Sequence, residues 1–256
     1  MHILVTNDDG VEAPGLLALV TALRPLGKIT VLAPDRNWSA SGHVKTMHRP
    51  LRVKPTTLAD GTPALASDGA PSDCVALALL GLVTDPINLV VSGINPNANV
   101  GHDVTYSGTV TAAMEATIAG VPGLAVSLDT PEIHKSSIDY EPAARIAALL
   151  VSSFLQHPIP KGILLNVNIP YGPLDSIQGL AITRQGLRVY RDALVERADP
   201  RGRPYYWIGG EAPTGVPEQG TDFWALSERM VSVTPLQLDL TARDHLGLLQ
   251  SWDLHL

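Results

Sequence analysis

The chain has 256 residues, of which 45% are hydrophobic and 17% charged, so it can bury a sizeable core and is not disordered. Its formal net charge of −7 argues against a partner such as a nucleic-acid duplex, which would need a basic face. The single cysteine, Cys74, excludes an internal disulfide and fits a reducing compartment. Because we find neither a signal peptide nor an apolar run of about 18 residues, we expect a cytoplasmic protein with no membrane partner.

The first two thirds of the chain alternate between strand and helix patterns. An apolar run at residues 3–6 predicts a buried strand, and a helical pattern runs from Pro14 to Gly27. A second strand at residues 28–33 implies a parallel pair with a right-handed crossover. Further strands are predicted at residues 51–53, 64–66, 87–91, 124–128 and 163–168, and further helices at residues 71–82, 109–120 and 139–156. The pattern predicts an α/β core with a mostly parallel sheet.

The character of the chain changes after Pro170. Helices give way to short strand patterns at residues 180–183, 203–208 and 231–236, and a short helical pattern ends the chain at residues 242–251. We therefore interpret residues 1–170 as the α/β core. Residues 171–256 are interpreted as an extension suited to subunit contacts.

Polar side chains follow three of the predicted core strands. Asp8 and Asp9 come directly after the first strand, Ser39 follows the second, and Asn95 follows the strand at residues 87–91. Ligands of open α/β sheets bind outside the carboxyl ends of the strands. All four side chains offer oxygen, which selects hard cations such as Mg²⁺ or Mn²⁺. The alternative for the two acids is a helix N-cap beside a solvated carboxylate.

A second feature is Ser107-Gly108-Thr109, at the predicted start of a helix. Free backbone N–H groups and the helix dipole make such a position a cradle for an anion, although an ordinary Ser/Thr cap has the same pattern. A phosphate charge and a carboxylate about 4 Å apart repel by about 4 kcal/mol at an effective dielectric near 20. Acids and an anion cradle in one site therefore imply a divalent metal.

Three common catalytic motifs are absent from the sequence. No G-x-G-x-x-G follows the first strand, which weakens a dinucleotide-dependent oxidoreductase. The nucleoside-triphosphate loop G-x-x-x-x-G-K-[ST] and the hydrolase elbow G-x-S-x-G are also missing. A metal-assisted phosphate site remains the interpretation that these residues favour.

Several motifs, in order along residues 1–128 and again near the C-terminus, resemble the stationary-phase survival protein SurE family. They are Asn7-Asp8-Asp9-Gly10, Ala13-Pro14-Gly15, Ala33-Pro34-Asp35-Arg36, Ser41-Gly42-His43, Asp73-Cys74-Val75, Val91-Ser92-Gly93-Ile94-Asn95, Asp103-Val104, Tyr106-Ser107-Gly108-Thr109-Val110, Thr221-Asp222 and Val231-Ser232-Val233-Thr234-Pro235-Leu236. The sequence departs from the family pattern at Pro96-Asn97 and, after the expected aromatic at Phe223, at Trp224, where members commonly have a histidine.

The resemblance implies a 5′/3′-nucleotidase, a metal-dependent phosphatase of nucleoside monophosphates that sometimes also acts on short polyphosphate. It implies a Rossmann-like three-layer α/β/α core, with a C-terminal β-hairpin and helix extension that forms a homodimer or homotetramer. One Mg²⁺ or Mn²⁺ per subunit would be bound by Asp8, Asp9, Ser39 and Asn95. Asp8, Asp9 and Asn95 would be catalytic. The substrate phosphate would contact Ser107, Gly108, Thr109 and Asn99.

Three alternatives remain open at this point. Asp8 or Asp9 can act on the attacking water, or one of them can form a covalent aspartyl-phosphate. The chain can instead be a nucleotide-binding sensor module without turnover. It can also be a structural subunit whose acids are only helix caps.

Overall fold

The computed structural model describes residues 1–131, 138–154 and 156–252, with the side chains of residues 210–213 outside that description. The strands are β1 (His2–Thr6), β2 (Lys28–Pro34), β3 (Val53–Thr57), β4 (Pro63–Ser67), β5 (Leu89–Asn95), β6 (Gly123–Asp129), β7 (Ile163–Pro170), β8 (Leu180–Ile182), β9 (Arg188–Ala198), β10 (Pro204–Gly215) and β11 (Val231–Gln237). The helices are α1 (Pro14–Leu23), α2 (Pro71–Leu77), α3 (Gly108–Ile118), α4 (Glu141–Phe154), α5 (Asp222–Ser227) and α6 (Leu246–Gln250).

A nine-stranded sheet has the order β3-β4-β2-β1-β5-β6-β7-β11-β8. The six strands from β4 to β7 are parallel to one another. β3 is antiparallel to β4 at one edge, and β11 is antiparallel to β7 near the other. The predicted mostly parallel core is therefore confirmed.

Helices cover both faces of this sheet. Ile3 and Val5 of β1 pack in one apolar cluster with residues of α1 and α4, whereas Leu4 packs in a second cluster with residues of α2 and α3. Successive side chains of a strand point to opposite faces, so the two clusters lie on the two sides of the sheet. This arrangement confirms the three-layer α/β/α class.

The helix predicted at residues 71–82 is only partly correct. α2 ends at Leu77, and a wide helical turn follows at Ala78–Leu82, where Gly81 has a φ of 118°. Leu80 is 83% exposed, so the apolar composition does not bury this end of the segment. A short apolar run does not distinguish a buried helix from an apolar surface turn, because both lack a clear period.

The segment after Pro170 contains a long hairpin that the sequence interpretation missed in part. β10 was predicted only over residues 203–208, and β9 was not predicted. The two strands form a separate antiparallel pair, while β8 and β11 complete the main sheet. The boundary between a core at residues 1–170 and an extension at residues 171–256 stays a prediction.

The helices are short or carry polar residues. Across residues 1–131, 138–154 and 156–252, none of them is both long enough and apolar enough to cross a membrane.

Candidate active site

The carboxyl edge of the parallel sheet brings the predicted site residues together. Thr6 at the end of β1 is level with Ser92 of β5. Asp9 lies three residues beyond Thr6, and Asn95 lies three residues beyond Ser92, so both belong to the same edge. Parallel neighbours end at a common edge, which is why residues far apart in sequence meet there.

A tight turn presents the two aspartates. The buried Asn7 side chain donates from Nδ2 to the Gly10 carbonyl at 2.9 Å and accepts from the Gly10 N–H at 3.2 Å. Gly10 has a φ of 103°, a conformation that other residues rarely adopt. The turn fixes Asp8 and Asp9 side by side at the end of β1.

Asp8 lies against the amino end of α3. Its carboxylate is buried, and Oδ1 accepts a hydrogen bond from the Thr109 hydroxyl at 2.5 Å. Burial raises the pKa of Asp8, although hydrogen bonds from the Thr109 hydroxyl and from backbone groups of Asp8, Thr109 and Gly108 oppose that rise. A Cβ on Gly108 would lie 2.7 Å from the Cβ of Asp8, so only glycine allows this close approach.

Asp9 is half-buried and has fewer partners. Asn37 donates to its Oδ1 over a long 3.4 Å. Burial, followed by the negative charge of Asp8, raises the pKa of Asp9 to about 7. A proton or a cation at this position would therefore relieve the repulsion between the two carboxylates.

Ser39 lies in the segment after β2, which is bonded to the aspartate turn. The Trp38 N–H donates to the Asp8 carbonyl at 2.7 Å, and the Ser39 N–H donates to Oδ1 of Asn37 at 2.8 Å. Ser39 is exposed, and its short turn runs alongside the two aspartates. The structure thus brings the first three predicted metal ligands to one place.

Asn95 is buried at the end of β5. Its Nδ2 donates to the Asn97 carbonyl at 2.5 Å, which turns the amide oxygen away from that bond. The described residues give no direct contact between Asn95 and the two aspartates. Its assignment to the same metal site rests on the shared edge of the sheet.

Asn99 anchors the loop that follows β5. Its Nδ2 donates to the Ser127 hydroxyl at 2.8 Å, and its carbonyl accepts from the Asn166 and Asn168 side chains. Asn99 is itself buried. The side chain of Asn99 therefore holds the loop on β6 and its backbone holds the loop on β7. The predicted contact of Asn99 with the substrate phosphate stays a prediction.

The residues Ser107, Gly108 and Thr109 do start a helix, as predicted. The Ser107 hydroxyl accepts from the Val110 N–H at 3.1 Å and caps α3. The Thr109 hydroxyl is bonded to Asp8. Both hydroxyls are thus engaged within the protein, and the carboxylate of Asp8 lies where an external anion was expected.

Sequence reasoning missed the buried carboxylate of Glu115 on α3. Its Oε2 lies 3.0 Å from Nε2 of His43, and its Oε1 accepts from Nζ of Lys45 at 3.0 Å. The Thr111 hydroxyl also donates to the Gly42 carbonyl at 3.1 Å. These three contacts fasten the segment after Ser39 to α3, and a fourth bond, from the Gly42 N–H to the Tyr106 carbonyl, joins it to the residues just before the helix. An acid at the centre of an otherwise apolar and small-residue helix was the signal available.

The donor set fits a hard divalent cation. Asp8, Asp9, Ser39 and Asn95 supply carboxylate, hydroxyl and amide oxygens, which suit Mg²⁺ or Mn²⁺ rather than zinc. Within the described part of the chain, His, Cys, Asp and Glu side chains form no cluster of three or more that would hold a metal ion. A site here therefore needs the two aspartates together with the neutral oxygens of Ser39 and Asn95. The fold and this edge define a three-layer α/β protein with an acidic, oxygen-lined site.

Comparison with known proteins narrows this class. The family model described as survival protein SurE matches residues 3–192. A 5′-nucleotidase SurE of Herpetosiphon aurantiacus is 53% identical over 244 residues, which are 95% of each chain. A 5′-nucleotidase SurE of Geobacter sulfurreducens is 50% identical over 254 residues, which are 99% of this chain and 94% of the relative. The crystal structure of the SurE protein from Aquifex aeolicus aligns with a TM-score of 0.83 at 38% identity, covering 98% of this chain and 99% of that one. The chain belongs to the SurE family, which confirms the resemblance.

Proposed function

We propose that this chain is a metal-dependent phosphatase that hydrolyses nucleoside 5′- and 3′-monophosphates to nucleoside and phosphate. One observation carries the proposal: Asp8 and the half-buried Asp9 are adjacent, and the buried Asp8 lies against the amino end of α3. Two neighbouring carboxylates in such a place favour a divalent cation, and the helix terminus favours an anion. The relatives named 5′-nucleotidase support nucleotides as the substrate class. Short polyphosphate is a further candidate substrate.

We assign one Mg²⁺ or Mn²⁺ per subunit to Asp8, Asp9, Ser39 and Asn95. Such a cation, when bound, supplies charge neutralisation at a phosphoryl oxygen and lowers the pKa of a coordinated water. In this assignment Asn95 contributes an oxygen ligand next to the reacting phosphate. The cytoplasmic location stays a prediction from the sequence.

The two aspartates have different environments and therefore different roles in this proposal. Asp8 is fixed by the Thr109 hydroxyl and by backbone donors at the start of α3. Asp9 has only one long hydrogen bond, so its carboxylate is freer than that of Asp8 to orient the attacking water or accept its proton. The same freedom makes Asp9 the better candidate if the reaction passes through a covalent aspartyl-phosphate.

The substrate phosphate is proposed to lie beside Asp8 at the start of α3. Ser107, Gly108 and Thr109 form this helix terminus, whose dipole favours the charge that develops on the equatorial oxygens. Asn99 lies in the loop after β5. In the transition state, these groups stabilise the phosphoryl group while the nucleoside leaves.

The proposal is tested by measuring phosphate release from nucleoside 5′- and 3′-monophosphates, glycerol phosphate and short polyphosphate. Each substrate is assayed with Mn²⁺, with Mg²⁺ and with EDTA. We expect metal-dependent release that is highest with nucleotides. Metal-dependent nucleotide binding by calorimetry without any release would replace the phosphatase by a sensor module.

Asp9→Asn and Asp85→Asn form a matched pair of variants for the same assay. Asp85 is exposed and pairs with Lys28 at the opposite edge of the sheet. We expect Asp9→Asn to lose about a hundredfold or more in turnover, because even outer residues of metal sites cost about 10- to 100-fold. Asp85→Asn should behave as the unchanged protein. Full activity of Asp9→Asn would refute the assigned site.

A further inference from the structure

A cavity of about 380 Å³ opens beside the loop that follows β5, two residues beyond Asn95. It lies between the loop after β5, the end of β6, the base of the β9–β10 hairpin and α5. Its walls include Asn97, Asp129, Thr130, Arg188 and Phe223. The volume falls within the range of about 300–1,000 Å³ that is usual for small-molecule sites.

The Phe223 ring is held firmly in the wall of this cavity. The fully buried Asp222 carboxylate accepts from the backbone N–H groups of Gly101, Gly186 and Phe223 at 2.8 to 2.9 Å. A Cβ on Gly215 would lie 1.8 Å from Cδ1 of Phe223, so the ring packs directly on the backbone of β10. The position of the ring is therefore determined by three separate segments of the chain.

Arg188 completes the same wall. Its guanidinium lies 5.6 Å from the centre of the Phe223 ring, and its Nε lies 3.1 Å from Oδ2 of Asp103. Arginine guanidinium groups and aromatic rings both stack on the flat faces of nucleobases. The wall thus offers planar groups that are already oriented.

The remaining walls supply polar groups. Thr130 is buried, and its hydroxyl has no hydrogen-bond partner among the residues that the structure describes. Asp129 and Asn97 are exposed beside it. Hydroxyl, carboxylate and amide groups are suitable partners for the vicinal hydroxyls of a ribose and for the edge of a base.

The cavity is coupled to both halves of the proposed catalytic site. The Asn97 carbonyl accepts the hydrogen bond from Asn95, a proposed metal ligand. On the other side, the carbonyl of Asp103, the partner of Arg188, accepts from the N–H of Ser107 at 3.1 Å. The cavity is therefore bordered by segments that are bonded directly to a proposed metal ligand and to the start of the phosphate-binding turn.

We propose that this cavity binds the nucleoside part of the substrate, with Phe223 and Arg188 stacking on the base. This inference rests on the proposed nucleotidase function and names the part of the chain that selects nucleotides over smaller phosphate esters. Phe223 and Arg188 act as specificity-determining residues that contact the leaving nucleoside. They have no part in the chemistry at the phosphorus atom.

The test compares Phe223→Leu with Trp224→Leu, an aromatic residue of the same short helix that does not line the cavity. We measure kcat and KM for adenosine 5′-monophosphate and for glycerol phosphate. Loss of base stacking should raise the KM for the nucleotide about tenfold and leave kcat, and both constants for glycerol phosphate, unchanged. Trp224→Leu should change neither kcat nor KM for either substrate. The proposal would be overturned if Phe223→Leu raised the KM for both substrates equally, or if it left the KM for the nucleotide unchanged.

Competition by free adenosine gives a readout that is separate from turnover of the nucleotide. Adenosine should inhibit hydrolysis of glycerol phosphate by the unchanged protein and about tenfold more weakly in Phe223→Leu. Thermal unfolding verifies that each variant is folded, and Arg188→Gln replaces Phe223→Leu if the latter does not fold. If the unchanged protein hydrolyses no phosphate ester, the proposed function fails. In that case, calorimetry with adenosine tests nucleoside binding by the cavity on its own. Absence of adenosine binding would overturn the proposal for the cavity.

Discussion

Asp8 shows how a single side chain can change the interpretation of a motif. From the sequence, the amino end of α3 was expected to hold the phosphate of a substrate. In the structure, the Thr109 hydroxyl and the backbone donors of this helix end serve Asp8. A buried carboxylate needs such donors, because an unpaired buried charge is costly. The helix end therefore orients a proposed metal ligand as well as favouring an anion beside it.

Thr109→Val removes the hydroxyl but keeps the shape of the side chain. We expect an affinity for Mn²⁺ that is about 10- to 100-fold weaker, because partners that orient metal ligands contribute this much. Stability should fall by about 1–3 kcal/mol, because a buried acceptor loses its donor. Thr109→Ser keeps the hydroxyl and should bind Mn²⁺ nearly as well as the unchanged protein. Calorimetric titration of the metal-free protein measures the affinity, and equal affinities for the Val and Ser variants would contradict the role of the hydroxyl.

At the scale of elements, the segment at residues 37–48 is positioned by two helices. Glu115 of α3 contacts His43 and Lys45, while Asp73 of α2 accepts from both the N–H and the hydroxyl of Thr46. The segment carries Ser39 and is rich in polar residues, so hydrogen bonds must place it where apolar packing is sparse. Its geometry, and with it the proposed metal site, depends on helices that do not themselves contact the metal.

Glu115→Gln is expected to loosen this segment. The apparent dissociation constant for Mn²⁺ should rise about tenfold, because the substitution alters the position of Ser39. The kcat at saturating Mn²⁺ should stay unchanged, because the reacting groups are the same. Glu141 forms an exposed ion pair with Arg145 on α4, and Glu141→Gln should have no effect on either quantity. A loss of kcat at saturating Mn²⁺ would contradict a purely positioning role.

The same substitution has an expected pH signature. A hydrogen bond from His43, followed by one from Lys45, lowers the pKa of Glu115 below its ordinary 4.5, although burial opposes this. The stability that this carboxylate contributes is therefore fully present above pH 4.5 and is lost as the pH falls through the lower value in the folded protein. As the pH is lowered from 6 to 3, the melting temperature of Glu115→Gln should consequently fall less steeply than that of the unchanged protein.

On the scale of the whole molecule, the β9–β10 hairpin carries large apolar residues on both faces. Leu194 pairs with Ile208, and Val195 pairs with Trp207, and the exposed fractions of these side chains run from 36% to 85%. An isolated two-stranded hairpin is marginal in water, and contiguous apolar surface marks an interaction site. We therefore propose that the hairpin packs against another copy of the chain, as the predicted homodimer or homotetramer requires.

A charge-paired double variant tests this proposal. Leu194→Glu with Ile208→Lys places opposite charges on directly paired positions, so the hairpin is retained while the apolar surface of one of its faces is interrupted. We expect the mass in solution, measured by light scattering, to fall toward that of a single chain. Glu196→Gln, an exposed polar position in the same hairpin, should keep the oligomer. An unchanged mass for the double variant would show that the face with Leu194 and Ile208 is not the contact.

Local patterns in the sequence determined most of the parallel core. β1, β2, β5, β6 and β7 were predicted from apolar, β-branched runs, because strands buried on both faces have that composition. The hairpin escaped in part, because its exposed strands mix charges with apolar residues and its second strand contains glycine and proline. The same local patterns located Asp8, Asp9, Ser39 and Asn95 at strand ends.

By itself, the sequence thus determined the α/β class, the family resemblance and the set of oxygen-bearing side chains. Only the tertiary structure decided which of these side chains have partners: Thr109 serves Asp8, Asn99 anchors a loop, and Glu115 fixes the Ser39 segment. It also decided that Asn97, which is part of one departure from the family pattern, and Phe223, which is next to the other, line one cavity although they are 126 positions apart in the sequence. The physical reason is the distance along the sequence between the residues that interact. Strand and helix patterns depend on neighbours along the chain, whereas partners and cavities depend on segments that meet only after folding.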